Sequence, residues 1–240
     1  MPSSRDRAID LNADVGEGEG EEPLYDVISS ANIACGGHAG DDASMQQAVR
    51  LAVSRGVAVG AHPSYPDRAG FGRVPMTIPR AELAREIAGQ IARLSRVAKD
   101  AGTRLAHVKP HGALYNDAAA GIDFAQAVAD GVLSHSSDLV IVGLAGSAAL
   151  RIWKARGLAV AAEGFADRAY RADGTLVPRS EAGALIADPP AAAAHAVRLA
   201  ASRRCDTICV HGDTPDAVAI ATSVRRALER AGFTIRPVSD

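Results

Sequence analysis

The feature that most constrains this chain is a recurring phrase. A short apolar run of strand length is followed by a polar turn rich in Gly and Pro, then by a longer amphipathic stretch. The apolar runs are AIDLNA near Ile9, ANIAC near Ile33, GVAVGA near Val57, LAHVK near Val108, DLVIVGL near Ile141, LAVAAE near Val160, TICVH near Cys209 and FTIRPV near Ile235. Each is rich in β-branched residues and of strand length. Between most of them lie helix-like segments with the expected punctuation. Asp42 is placed to cap a helix that ends at Gly56, and Pro79 opens a long one that ends at Gly102. Ser147 starts a third, ending at Gly157, and Asp213 or Thr214 a fourth, ending at Gly232. A cap or Pro at the start and Gly just past the end is how helices are bounded. Strands alternating with helices predict a parallel sheet. Seven or eight such units closed on themselves make an α/β fold of the (β/α)-barrel type, as one domain over residues 1–240; an open doubly wound sheet is the alternative.

Composition narrows the function classes. A chain of 240 residues can bury roughly 70–75% of its unfolded surface and needs no staples. A net charge of −2 gives no attraction to nucleic acid or to an anionic membrane, although one small phosphorylated ligand needs only a local charge. The cysteines, Cys35, Cys205 and Cys209, are odd in number and form no CxxC pair, which argues against a disulfide framework. No secretory leader is visible in MPSSRDRAIDLNAD, and no apolar run reaches the roughly 18 residues of a membrane span. A cytoplasmic protein is expected.

Function is signalled by where the polar residues fall. Nearly every apolar run ends in chemically capable side chains: Asn12 and Asp14, then Glu17; Cys35 and His38, then Asp41; His62; Lys109 and His111; Glu163, then Asp167 and Arg168; His211 and Asp213. In parallel α/β folds the carboxyl ends of the strands share one face, and catalysis sits there. Strand parity agrees, because residues two apart share a side. Asp10, Asn12 and Asp14 point one way, as do His107, Lys109 and His111, and Cys209, His211 and Asp213, while Leu11, Val108 and Val210 on the other side are apolar.

Each candidate has a plainer reading. A lone histidine at a strand end usually just makes a hydrogen bond, but His38, His62, His111 and His211 all sit beside small or turn residues. Asp14 and Asp41 could cap helices, and Arg73 could tie down its own loop. Cys35 and Cys209 read as small buried residues. Lys109 is harder to explain as structure, because a lysine on an inward strand face needs a partner or a task. No GxxxxGK[ST], GxSxG or HExxH is present, and GEGEGEE lacks the strand–helix context of a dinucleotide loop.

Taken together, DLNADVGEG, SSANIACGGHAGDD, GVAVGAHPSYPDRAGFGR, HVKPHGALYN, VGLAGS, EGFADRAYRADGTLVPRSEAGALI and TICVHGDTP resemble the LamB/YcsF family from about Ile9 to Gly232. The chain departs from the family pattern at HAGDD, at Val74 and in the short segment 202–206. The resemblance implies a barrel similar to the glycoside hydrolase/deacetylase superfamily. It also implies ATP-dependent opening of 5-oxoproline to L-glutamate, with ATP as co-substrate and with PxpB-like and PxpC-like partner subunits. Motif match carries over Asp14, His38, His62, Lys109, His111, Asp167, Arg168, His211 and Asp213. Asp14, His38, His62, Lys109, His111 and His211 are the catalytic candidates. Asn12, Asp41, Arg73, Asp167, Arg168 and Asp213 are the substrate-binding ones. In the chemistry this implies, Asp14 or a neighbouring histidine is the base, Lys109 and Arg168 meet phosphate, and His111 or His211 is the acid. Two rivals stand beside it: a metal-dependent deacetylase or amidohydrolase with Asp14, His38 and His62 as ligands, and a non-catalytic subunit that binds 5-oxoproline. No tightly bound metal is expected, because no compact ligand motif is present. Lys109→Ala is expected to cost little folding stability.

Overall fold

The strands do close. In the computed structural model, which describes residues 7–212, 214 and 216–239, β1 (Ala8–Val15), β2 (Ser30–Ala34), β3 (Ala58–His62), β4 (His107–Val108), β5 (Val140–Leu144), β6 (Val160–Phe165) and β7 (Thr207–His211) pair in parallel in sequence order. β7 returns to β1 with Asp10 opposite Thr207 and Asp14 opposite His211, which closes a barrel of seven strands. The eighth run forms only β8 (Thr234–Ile235), which pairs with Ala8 and Ile9 at the amino end of β1, outside the ring. Both arise from β1 being long enough to take β8 at its foot and β7 above.

Helices α1 (Asp42–Arg55), α2 (Arg80–Asp100), α3 (Gly112–Ala120), α4 (Ile122–His135), α5 (Ala148–Ala155), α6 (Pro189–Ala201) and α7 (Ala217–Arg230) connect the strands. Two helix starts differ from expectation. Asp41, not Asp42, caps α1: its carboxylate accepts from the Ser44 amide while the Ser44 hydroxyl accepts from the Asp41 amide, a reciprocal box. α7 begins only after Asp216, whose φ of 58° is left-handed. No helix among the described residues is long and apolar enough to cross a membrane.

Parity sorts the side chains into two shells. Ile9, Leu11, Ala13 and Val15 of β1, Val108 of β4 and Ile208 and Val210 of β7 face outward into the main hydrophobic core under the helices. The inward positions are mostly polar. Barrel interiors are usually filled by branched aliphatic residues; here the bore carries Asp10, Asn12, Ser30, Asn32, His107, Lys109, Glu163 and Thr207, all buried. Gly60 on β3 makes room for this, since a Cβ there would lie 2.0 Å from Nε2 of His107.

Deep in the bore the polar groups form one directional chain. His107 Nε2 donates to Asn32 Oδ1 (2.8 Å), and Asn32 donates to Asn12 Oδ1 (2.8 Å). Asn12 donates to Thr207 Oγ1 (2.6 Å), and Thr207 donates to Asp10 Oδ2 (2.5 Å). The other Asp10 oxygen accepts from Ser29 and Ser30, each at 2.7 Å. Burial still pushes Asp10 up to about 6, against these hydroxyls.

Candidate active site

The site begins with Lys109, which β4 delivers to the bore at 2% exposure. An ammonium has three hydrogens and no acceptor. Here they meet Asp14 Oδ1 (2.8 Å), Glu163 Oε1 (2.9 Å) and Cys209 Sγ (3.1 Å). Burial pulls the Lys109 pKa down, but Asp14 and Glu163 outweigh it and hold the amine protonated. Burial likewise raises Asp14, but His62 and Lys109 overcome it, so its carboxyl stays well below its usual range. Cys209 is pushed up by burial and remains a thiol. The small buried role expected for it holds, with the addition that its sulfur accepts from Lys109.

Above this floor, β2, β3 and β4 deliver three imidazoles. His62 Nδ1 donates to the Lys109 carbonyl (2.7 Å), and His111 Nε2 donates to the Phe71 carbonyl (2.9 Å). The remaining ring nitrogens, His62 Nε2 and His111 Nδ1, face each other at 3.0 Å. His38 stacks on His111 with centroids 3.6 Å apart. Glu17 reaches into the group, with Oε1 2.8 Å from His38 Nε2, 3.3 Å from His111 Nδ1 and 3.7 Å from His62 Nε2. Asp14 Oδ2 lies 3.3 Å from His62 Nε2. Burial, with His62 adding to it, lowers His38 to about 3 and His111 to about 2. For His62 burial acts the same way, but Asp14 and Glu17 reverse the direction and raise it.

Two loops hold this cluster. The Glu21 carboxylate gathers the successive amides of Gly16 (2.5 Å), Glu17 (3.2 Å) and Gly18 (2.9 Å), which fixes the turn carrying Glu17. Phe71 adopts a left-handed φ of 54°, unusual outside Gly, and that conformation presents its carbonyl to His111. The loop then meets α3 through Ala113 N and the Gly72 carbonyl at 2.9 Å; a Cβ on Gly112 would come within 2.4 Å of that carbonyl.

The opposite wall is built by β6 and β7. Asp167, fully buried, accepts from His211 Nδ1 (3.0 Å), from the His211 amide (3.1 Å) and from Thr214 Oγ1 (2.7 Å). Burial alone would raise Asp167, but His211 and Thr214 bring it down to about 2. Holding Nδ1 in this way fixes the imidazole and directs its other nitrogen, and the ring stacks on Phe165 at 5.1 Å. Arg168 is buried, donates to the Val177 carbonyl (2.6 Å) and has no hydrogen-bond partner for Nε among the described residues.

A cavity of about 610 Å³ joins the two walls. Asp14, Glu17, His62, Lys109, His111 and His211 line it, as do Arg73, Arg168 and Arg179. Of the sequence candidates, Asp14, His62, Lys109, His111, His211, Arg73 and Arg168 thus share one cavity. His38 lies behind His111, Asn12 lies below in the bore, and Asp167 supports His211. Asp41 stands apart from the lining of this cavity, as the exposed cap of α1. Asp213 lies outside the described residues. Sequence reasoning finds Glu17 and Glu163 at strand ends but gives them no role, and it passes over Glu21; the period-2 rule can find Glu163, which shares its parity with Phe165.

Seven parallel strands around a polar bore, with imidazoles, carboxylates and a lysine gathered at their carboxyl ends, define a (β/α) barrel with one chemically loaded mouth. The chain belongs to the LamB/YcsF family, whose pattern it matches over residues 9–240. It is similar to the 5-oxoprolinase A subunit of Methylococcus capsulatus, 48% identical with 95% of each chain covered. It is also similar to the lactam utilization protein of Thermus thermophilus, 40% identical, covering 95% of this chain and 99% of that one at a TM-score of 0.89. The catalytic domain of a peptidoglycan N-acetylglucosamine deacetylase from Eubacterium rectale shares the fold alone, at 12% identity and a TM-score of 0.56 with 97% and 88% of the two chains covered.

Proposed function

We propose that this chain is the A-type (PxpA) component of a 5-oxoprolinase and that the lactam is opened in the cavity at the barrel mouth, with ATP as co-substrate and PxpB-like and PxpC-like subunits as partners. The carrying observation is that one cavity joins the Asp14–His62–Lys109 group to three arginines and to the Asp167-held His211. The names of the full-length relatives support the substrate.

A five-membered lactam resists water because its amide carbon is a poor electrophile and its nitrogen a poor leaving group. Transfer of the ATP γ-phosphoryl group to the lactam oxygen, with release of ADP, makes the carbon electrophilic. Water then adds, the C–N bond breaks as nitrogen takes a proton, and a second water releases phosphate to leave glutamate. Asp14, kept ionised by Lys109 and 3.3 Å from His62, suits the base that takes the proton of attacking water. Arg73, Arg168 and Arg179 suit the phosphate and the substrate carboxylate. His211, with Nδ1 held by Asp167, presents its other nitrogen as proton donor to the departing amine. Lys109 keeps Asp14 ionised and in place.

The test is 5-oxoproline turnover by the purified chain, with and without the two partner subunits and ATP. The expected result is negligible turnover alone and ATP-dependent glutamate release when all three are mixed. Robust ATP-coupled turnover by the chain alone would overturn the division of labour, and no turnover by the full mixture would overturn the substrate.

A further inference from the structure

The His62–His111 contact has an unusual property. A carbonyl oxygen only accepts hydrogen bonds. Because His62 Nδ1 lies against the Lys109 carbonyl and His111 Nε2 against the Phe71 carbonyl, both of these nitrogens carry hydrogen. In the neutral rings the facing atoms, His62 Nε2 and His111 Nδ1, are therefore both lone pairs, 3.0 Å apart. Glu17 Oε1, a third acceptor, lies 3.3 Å from His111 Nδ1 and 3.7 Å from His62 Nε2. His38 Nε2 completes the group 2.8 Å from the same oxygen. All four ligand atoms lie within 4.8 Å of one another. Protons can serve these atoms only pairwise, His62 bridging to His111 and His38 Nε2 donating to Glu17. A cation at the centre satisfies all four ligand atoms together.

We propose that Glu17, His38, His62 and His111 bind one divalent transition metal ion of the zinc class, in the wall of the cavity. Three imidazoles and a carboxylate are a borderline nitrogen–oxygen donor set that suits zinc, cobalt(II), nickel or iron(II) better than magnesium or calcium. The outer shell is in place. The Lys109 and Phe71 carbonyls hold the second nitrogens of two of the rings, as metal-bound histidines require, and Glu21 fixes the turn that presents Glu17. Glu17, His62 and His111 line the cavity, so a ligand there reaches the ion's open side. A second grouping, Asp14, Cys209 and His211, is the weaker candidate, because Lys109 already donates to Asp14 and Cys209. The proposal does not rest on the identity of the substrate.

The experiment strips the full chain with chelator, confirms the fold by circular dichroism, and titrates it with cobalt(II) and then zinc. The expected result is one equivalent per chain, with the visible bands of low-coordinate cobalt displaced by zinc. Glu17→Gln and His111→Ala should each weaken binding about 100-fold or more, beyond the 10–100-fold typical of outer-shell changes. His38→Gln serves in place of any variant that fails to fold, and His211→Ala should leave affinity unchanged. A folded wild type that binds no stoichiometric metal overturns the proposal. So does binding that survives the Glu17, His38 and His111 substitutions, or that is lost with His211→Ala instead.

Discussion

The lower bore and the mouth are both buried and both polar, yet they are wired differently. In the bore each donor meets an acceptor in sequence, from His107 through Asn32, Asn12 and Thr207 to Asp10. At the mouth, ring nitrogens of His38, His62 and His111 converge instead on one oxygen of Glu17, at 2.8, 3.7 and 3.3 Å. The two carboxylates of β1 show the contrast: Asp10, among hydroxyls, is pushed up to about 6, whereas Asp14, beside His62 and Lys109, is held well below its usual range. Polar burial by itself therefore does not mark chemistry. A directional donor–acceptor chain rigidifies, and it is the convergence of three imidazoles on one carboxylate above it that suits a ligand.

The largest effect should come from the residue that joins the two regions. Lys109→Met leaves Asp14 and Glu163 buried without their cation, and breaking a buried pair in this way costs about 3–5 kcal/mol. Urea unfolding should show that loss together with abolished turnover, in place of the mild folding cost that strand-end position alone suggests. A stability near wild type would mean that the bore does not depend on this ion pair.

Next comes the pH dependence of the bore. Asp10 has a folded pKa raised from 3.8 to about 6, so between those values the folded state binds more protons than the unfolded one. Stability from this group is then fully present below pH 4 and is lost as pH rises through 6, a swing of about 3 kcal/mol at 1.36 kcal/mol per unit. Asp10→Asn should remove that slope. Unfolding free energies of both proteins across pH 4–7 measure the difference between them, and parallel curves would refute it.

The smallest effect is expected outside both regions. Asp41→Ala deletes a helix cap and should lower the thermal midpoint slightly while leaving turnover by the reconstituted complex unchanged. A collapse of turnover would restore Asp41 to the site.

Much of this contrast is legible in the chain. Period 2 places Asp10, Asn12 and Asp14 together, likewise His107, Lys109 and His111, and turn residues after each run mark the mouth. What stays hidden depends on turns and through-space meetings. Glu17 follows Gly16, whose left-handed φ of 74° ends strand parity, so no periodicity shows that it turns back towards His38. The four ligand atoms come from positions 17, 38, 62 and 111, which is why no compact ligand motif can be read. Asp41 and Asp42 are both plausible caps by type, and only the Ser44 hydroxyl decides between them.

The closure of β7 onto β1 also sets the order in which the protein can be made. Asp10 pairs with Thr207, and Asp14 lies opposite His211, across nearly the whole length of the chain. While the ribosome is still producing β6, the first strand has an unpaired edge, and one oxygen of Asp10 lacks its threonine. Contacts this distant in sequence are slow to form, and open edges invite pairing with other chains. The mouth is therefore complete only in a finished chain, and the period before β7 emerges is when this protein is most exposed to misassembly.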